Sequence, residues 1–126
     1  MTVYRKNISI NVGETFSEDL TLLSADGSGV VDLTGFTGTC KMQRTLNLGS
    51  LTSFTLAFTN RALGKVRISL TSTQTAEIAD GKYFYELMLT DPSGIVERVI
   101  EGIVIVKHPV TWDSPNPLTP FDAQVP

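Results

Sequence analysis

A chain of 126 residues with 41% hydrophobic and 18% charged side chains has the size and balance of one folded domain. Ten Lys and Arg against thirteen Asp and Glu leave a formal charge of −3, so there is no basic field to displace counterions from a nucleic-acid backbone. The longest apolar run, Ile103 to Val106, is strand-sized, and the first ten residues lack the apolar stretch of a signal peptide. Nucleic acid, membrane and export are therefore not expected. The single cysteine, Cys40, can neither close a disulfide within the chain nor build a zinc site alone, which fits assembly in a reducing compartment.

Short runs of Val, Ile and Thr are separated by turn formers about every ten residues, the pattern of an all-β fold with about seven strands. Residues 3–11 alternate through Ile8 and Ile10, and residues 15–23 place Phe16, Leu20 and Leu22 on one parity, with Gly13-Glu14 turning between them. Ala25-Asp26-Gly27-Ser28-Gly29 reads as a loop, and Val30 to Leu33 leads into the third strand. That strand, 36–44, sets Phe36, Cys40 and Met42 against Thr37, Thr39, Lys41 and Gln43. Residues 51–59 turn Phe54, Leu56 and Phe58 inward, and 65–70 do the same with Val66, Ile68 and Leu70. Asn60 to Gly64 has the length and final glycine of a hairpin loop.

Thr71-Ser72-Thr73-Gln74 has the form of a capping box and predicts a helix of one to two turns over 72–78. Gly81 ends it, and a tyrosine-rich strand follows over 82–90. Asp91-Pro92-Ser93-Gly94 places its residues as a type I turn requires, joining that strand to a long last one over 95–107. In these two strands both parities are apolar. Phe84 and Met88 oppose Tyr83, Tyr85, Leu87 and Leu89, and Ile100, Val104 and Val106 oppose Val99, Ile103 and Ile105. Either another part of the chain or a partner covers the second face. Lys6, Lys41 and Lys65 are candidates for guarding sheet edges.

From His108 onward the character changes. Pro109, Pro115, Pro117, Pro120 and Pro126 fall within nineteen residues, which excludes a regular strand or helix. The chain thus divides into a β domain, 1–108, and an extended Pro-rich C-terminal arm, 109–126. The arm carries Trp112, Leu118 and Phe121, apolar anchors that a purely solvating tail does not need, and with Pro115 and Pro117 they are the candidate partner-docking residues.

The inventory for catalysis is thin. His108 is the one histidine and has no evident partner, and Cys40 falls on an inward parity where a small buried hydrophobe is expected. Asp26, Asp32, Asp80 and Asp91 lie in or beside turns, where local hydrogen bonding accounts for them. Glu97 and Glu101 are expected on one face of the last strand, with Arg98 on the other. No glycine-rich stretch precedes a helix with phosphate-binding spacing. No catalytic residue, cofactor or metal is expected, and the chain reads as a non-enzyme.

Five segments together carry a resemblance: Val31-Asp32-Leu33-Thr34-Gly35-Phe36, Gly64 to Thr71 as Gly-x-x-x-Ile-Ser-Leu-Thr, Asp80 to Leu87, Thr90-Asp91-Pro92-Ser93-Gly94, and Glu101-Gly102. They resemble the small immunoglobulin-like antiparallel β-sandwich of tailed-bacteriophage virion proteins, including the N-terminal domain of baseplate upper proteins. The resemblance spans about residues 8–111 and implies a structural virion component that docks on other subunits, with no shared catalytic residues. A lone module with an anchoring arm is similar to capsid decoration, or cement, proteins. The expectation is therefore a protein made in the host cytoplasm and placed on the capsid surface, with the major capsid protein as partner and self-association as a further possibility. The alternatives are a tail, baseplate or fibre-attachment component, or a sandwich that binds carbohydrate or a receptor, for which Trp112, Tyr83 and Tyr85 in an open groove would be the sign.

Overall fold

The computed structural model describes residues 3–24, 29–45 and 48–108. The arm, with Trp112, Pro115, Pro117, Leu118 and Phe121, lies outside the described residues, as does Asp26. Among the described residues, eight strands, one 3-10 turn and one short helix make an all-β architecture: β1 (Tyr4–Arg5), β2 (Ile8–Asn11), β3 (Phe16–Thr21), β4 (Thr37–Thr45), β5 (Leu48–Asn60), β6 (Lys65–Leu70), α1 (Ser72–Ala76), β7 (Gly81–Thr90) and β8 (Val96–Lys107). Their order across the sheet is β1-β8-β7-β4-β5-β6-β3, with β2 continuing β1 along β8.

The sheet curls on itself at β5. The first half of this long strand pairs with β4 as far as Phe54, and the second half pairs with β6 from Thr55 onward. Side chains from both halves meet in one core that includes Ile10, Leu22, Met42, Ile68, Leu87, Val99 and Val104. Phe54 sits at its centre, with ring centroids 5.8 Å from Phe16 and 6.3 Å from Tyr85. The alternation read from the sequence holds along β3, β4 and β6, where Phe16, Leu20, Cys40, Met42, Val66, Ile68 and Leu70 are buried and their odd-parity neighbours mostly exposed. Leu56 and Phe58 are only half-buried, because they flank the core beyond the point where β5 changes partner.

Chain ends and turns follow local chemistry. The Thr71 hydroxyl accepts from the Gln74 N–H at 3.1 Å while the Gln74 side chain accepts from the Thr71 N–H at 2.8 Å, completing the capping box. The helix stops at Ala76, two residues short of the expected end. Its Thr75 is fully buried; the hydroxyl accepts from Gly13 N–H at 3.0 Å and lies 2.8 Å from the Glu14 carbonyl to which it donates, tying the helix to the β2–β3 turn. Gly64, at φ 70°, closes the β5–β6 hairpin, and a Cβ there would stand 2.8 Å from the carbonyl oxygens of both Leu22 and Val31. The Asp91 carboxylate accepts from the Ser93 and Ile95 N–H groups, both at 2.9 Å, which holds the β7–β8 turn.

The first expected strand is divided. Tyr4 pairs with Ile100 and Ile8 with Val104, so β1 and β2 share one parallel register, but Lys6 and Asn7 are pinched between them. The Tyr85 hydroxyl donates to the Lys6 carbonyl at 2.5 Å, and the Asn7 side chain accepts from the Ile103 N–H at 3.1 Å. Gly102 allows this approach, since any Cβ there would strike the Lys6 carbonyl group. The two sheet edges, β1/β2 and β3, face one another across a seam bridged by Lys6 Nζ and Glu18 at 3.3 Å and by the Tyr4 hydroxyl on the Leu23 carbonyl at 3.1 Å. Lys6 thus stands at an edge as expected. Lys41 and Lys65 do not, because β4 and β6 are interior strands paired on both sides.

Candidate functional site

The outer face of the β8-β7-β4 region is where unexplained apolar surface and charge gather. The strand registers lay the residues out in rows perpendicular to the strands. One row runs Ile103, Phe84, Gln43, Leu51 across β8, β7, β4 and β5. Phe84 is 37% exposed, Leu51 55%, and Ile105, two residues along β8, 39%. The adjoining row runs Arg5, Glu101, Glu86, Lys41, Ser53. Between and beside these rows lie two open troughs. One of about 350 Å³ is lined by Arg5, Phe84, Glu86, Arg98, Glu101, Gly102 and Ile103, and the other, of about 240 Å³, reaches Lys41, Gln43 and Leu51 on the far side of Phe84.

Glu86 and Glu101 face each other directly across β7 and β8, a pairing that like charges disfavour. Arg98 resolves it: its Nε is 2.9 Å from Glu86 and its Nη1 3.4 Å from Glu101, while Arg5 Nη2 stands 3.1 Å from the other oxygen of Glu101. This corrects the expectation that Arg98 and Glu101 point to opposite faces. The register slips between Leu87 and Met88, which pair with Ile100 and Arg98 and leave Val99 as the extra residue of a bulge. The bulge buries Val99 completely and turns Arg98 outward. Each exposed ion pair is worth little alone, yet the four side chains fix one another and define the rim of the larger trough. Lys82 adds a further cation, 5.6 Å above the Phe84 ring.

Other candidate residues are placed as structural groups. Cys40 is buried, and burial, with Glu86 nearby, pushes its thiol up to about 12, so it is held as the neutral thiol. Tyr83 and Tyr85 expose almost none of their surface, although Tyr85 borders the smaller trough. Both are buried, with hydroxyls donating to the Ala79 carbonyl at 2.7 Å and to the Lys6 carbonyl, and burial shifts Tyr85 upward from its ordinary value. His108 Nε2 is exposed and 3.4 Å from Asp80. Asp32 and Asp91 accept hydrogen bonds from Thr34, and from Ser93 and Ile95, which hold both carboxyls below the usual carboxylate value. Among the described residues, no group of three or more His, Cys, Asp or Glu is gathered to hold a metal ion, and no helix is long and apolar enough to cross a membrane.

The signal for this face was the apolar character of both parities in β7 and β8. Its extension to Leu51, Lys41 and Arg5 depends on register between strands distant in sequence, and Arg98 depends on a bulge that no local motif announces. No family model matches the chain, and no curated protein matches it. Among solved structures it is similar to an internalin-like protein of Listeria monocytogenes, with a TM-score of 0.44 and 14% identity over 83% of this chain. The chain spans 28% of that protein's length.

Proposed function

We propose that the chain is an immunoglobulin-like β-sandwich acting as a non-enzymatic docking subunit of a tailed-bacteriophage virion, placed on the capsid as a decoration protein. Three features support the sandwich reading. The first strand runs parallel to the last, the middle strand β5 passes between two ladders, and Tyr83 enters β7 with its hydroxyl bonded back to Ala79 just after the helical crossover, in the manner of a tyrosine corner.

The observation that carries the docking reading is the row in which the apolar Ile103, Phe84 and Leu51 flank Gln43, rimmed by a fixed charge network. Interfaces combine such an apolar centre with a polar rim. Many copies, each burying a modest area, would stabilise a shell by mass action without any strong single contact. The carbohydrate-binding alternative loses the support of Tyr83 and Tyr85, which are enclosed in the core. A tail or baseplate position remains the second placement, on the strength of the sequence resemblance. Immunogold labelling of purified virions separates the two: label distributed over the capsid supports decoration, label confined to the tail moves the protein there, and an absence of label from virions removes the proposal.

A further inference from the structure

We propose that β1 is a strap that lifts off β8 while β2 and the rest of the domain stay folded, and that its lifting opens the charge rim of the larger trough, to which it contributes Arg5. Strand β1 has two residues and lies at the end of the sheet, with β8 as its neighbour. It pairs Tyr4 with Ile100 and Arg5 with Glu101. Tyr4 is half-buried against the core and Arg5 is exposed. In β2, by contrast, Ile8 is 6% and Ile10 0% exposed. Lifting β2 would bring two core isoleucines into water, whereas lifting β1 uncovers part of one tyrosine.

A fixed point separates the two strands. The Lys6 carbonyl accepts from the Tyr85 hydroxyl at 2.5 Å, the Lys6 N–H donates to the Glu101 carbonyl at 3.1 Å, and Lys6 Nζ reaches Glu18 at 3.3 Å. One residue on, it is the side chain of Asn7 that accepts from the Ile103 N–H. A side chain thus interrupts the main-chain ladder just beyond its firmest anchorage, so an opening that starts in β1 stops at Lys6. The tethers on the β1 side are weaker. The Tyr4 hydroxyl donates to the Leu23 carbonyl at 3.1 Å, and Arg5 Nη2 stands 3.1 Å from Glu101 with its side chain 84% exposed.

The rim depends on where β1 lies. With the strap down, Arg5 and Arg98 match the charges of Glu86 and Glu101, which face each other across β7 and β8. Lifting β1 withdraws Arg5 and leaves Arg98 alone between two carboxylates, a pairing that like charges loosen. The same movement bares the edge of β8 at Ile100 and Glu101, beside the bulge at Val99. The trough rim therefore has two states, balanced when the strap is down and acidic when it is up.

Native-state hydrogen exchange of the 126-residue chain, read amide by amide by NMR in rising sub-denaturing urea, tests both parts. The Glu101 N–H, which the parallel register sets against the Tyr4 carbonyl, reports on β1, and the Ile10 N–H reports on β2. After correction for intrinsic rates, Glu101 should exchange at least about tenfold faster than Ile10 and almost independently of urea, because a short opening exposes little surface. Tyr4→Phe should speed exchange at Glu101 by about threefold, and Arg5→Gln by about twofold. Glu86→Gln tests the coupling, since Glu86 attracts Arg5 across the rim: it should speed exchange at Glu101 by about twofold at low salt, and by nothing in an Arg5→Gln background. A Glu101 amide that exchanges no faster than Ile10, or with the same urea dependence, means that β1 leaves only with β2 and overturns the proposal. Exchange at Glu101 that Tyr4→Phe and Arg5→Gln leave unchanged also overturns it. A Glu86→Gln effect that is absent, or that persists without Arg5, overturns the link between strap and rim.

Discussion

Replacing Gly102 by alanine tests how the N-terminal strands are held. A Cβ at this position would fall within the Lys6 carbonyl oxygen, 2.8 Å from the carbonyl carbon and 3.0 Å from Tyr85 Cε1. The obstacle is backbone and cannot rotate aside, so Lys6 and Asn7 must lift off β8. That movement strains or breaks three hydrogen bonds: Tyr85 to the Lys6 carbonyl, Lys6 N–H to the Glu101 carbonyl, and Ile103 N–H to the Asn7 side chain. At a net of about 1 kcal/mol each, with an overpacking cost of about 1–3 kcal/mol, the substitution should destabilise by roughly 4–6 kcal/mol. For a domain of this size that lowers Tm by about 15–25 °C. Thermal and urea unfolding followed by circular dichroism would measure it, with hydrogen exchange expected to show lost protection on the β8 amides that face β1 and β2. Gly29→Ala, where no atom lies within 4 Å of the new Cβ, should stay within about 0.5 kcal/mol of the parent. A Gly102→Ala protein that melts within about 2 °C of the parent would refute the reasoning.

Other predictions rest on separate features. Tyr85→Phe removes the donor to the Lys6 carbonyl in a half-closed site and should cost about 1–2 kcal/mol in urea unfolding, with the fold retained. Cys40, held protonated by burial, should be silent to a thiol reagent at pH 8 in the native protein and react only as fast as the protein opens; a burst of labelling would contradict its placement. The Asp91 carboxyl is lowered from its ordinary 3.8 by hydrogen bonds from Ile95 and Ser93, so its contribution is complete above about pH 4 and is lost as pH falls through the depressed folded value. Asp91→Asn should accordingly flatten the acid limb of the stability profile, and Asp91→Ala should lower stability at neutral pH as well; identical acid limbs in all three proteins would refute the assignment.

What was legible in the sequence follows from the range of the interactions involved. The capping box at Thr71-Gln74, the Asp91 turn and the parity of Phe16, Leu20, Cys40, Met42, Val66 and Ile68 are decided within a few residues, and the structure has them as read. The split of the first strand was not legible, because it is imposed by Gly102, ninety-six positions away from Lys6 in sequence. The same holds for Arg98, whose facing depends on an extra residue in β8 that only pairing with β7 reveals. Lys41 and Lys65 were misplaced as edge guards for a related reason: which strand lies at an edge is a property of sheet order, and strand order depends on contacts between distant segments. The apolar second face of β7 and β8 was visible from composition alone. Its full row, out to Leu51, required the register.

The most direct test of the proposed docking role is co-sedimentation of the 126-residue chain with assembled tailed-phage capsids and tails, alongside Phe84→Glu and a chain truncated after Thr111. The account predicts that the parent chain pellets with capsids at a fixed ratio to the major capsid protein and that altering either the Phe84 face or the segment reduces this binding. A parent chain that stays in the supernatant with both capsids and tails, while remaining folded, would contradict it.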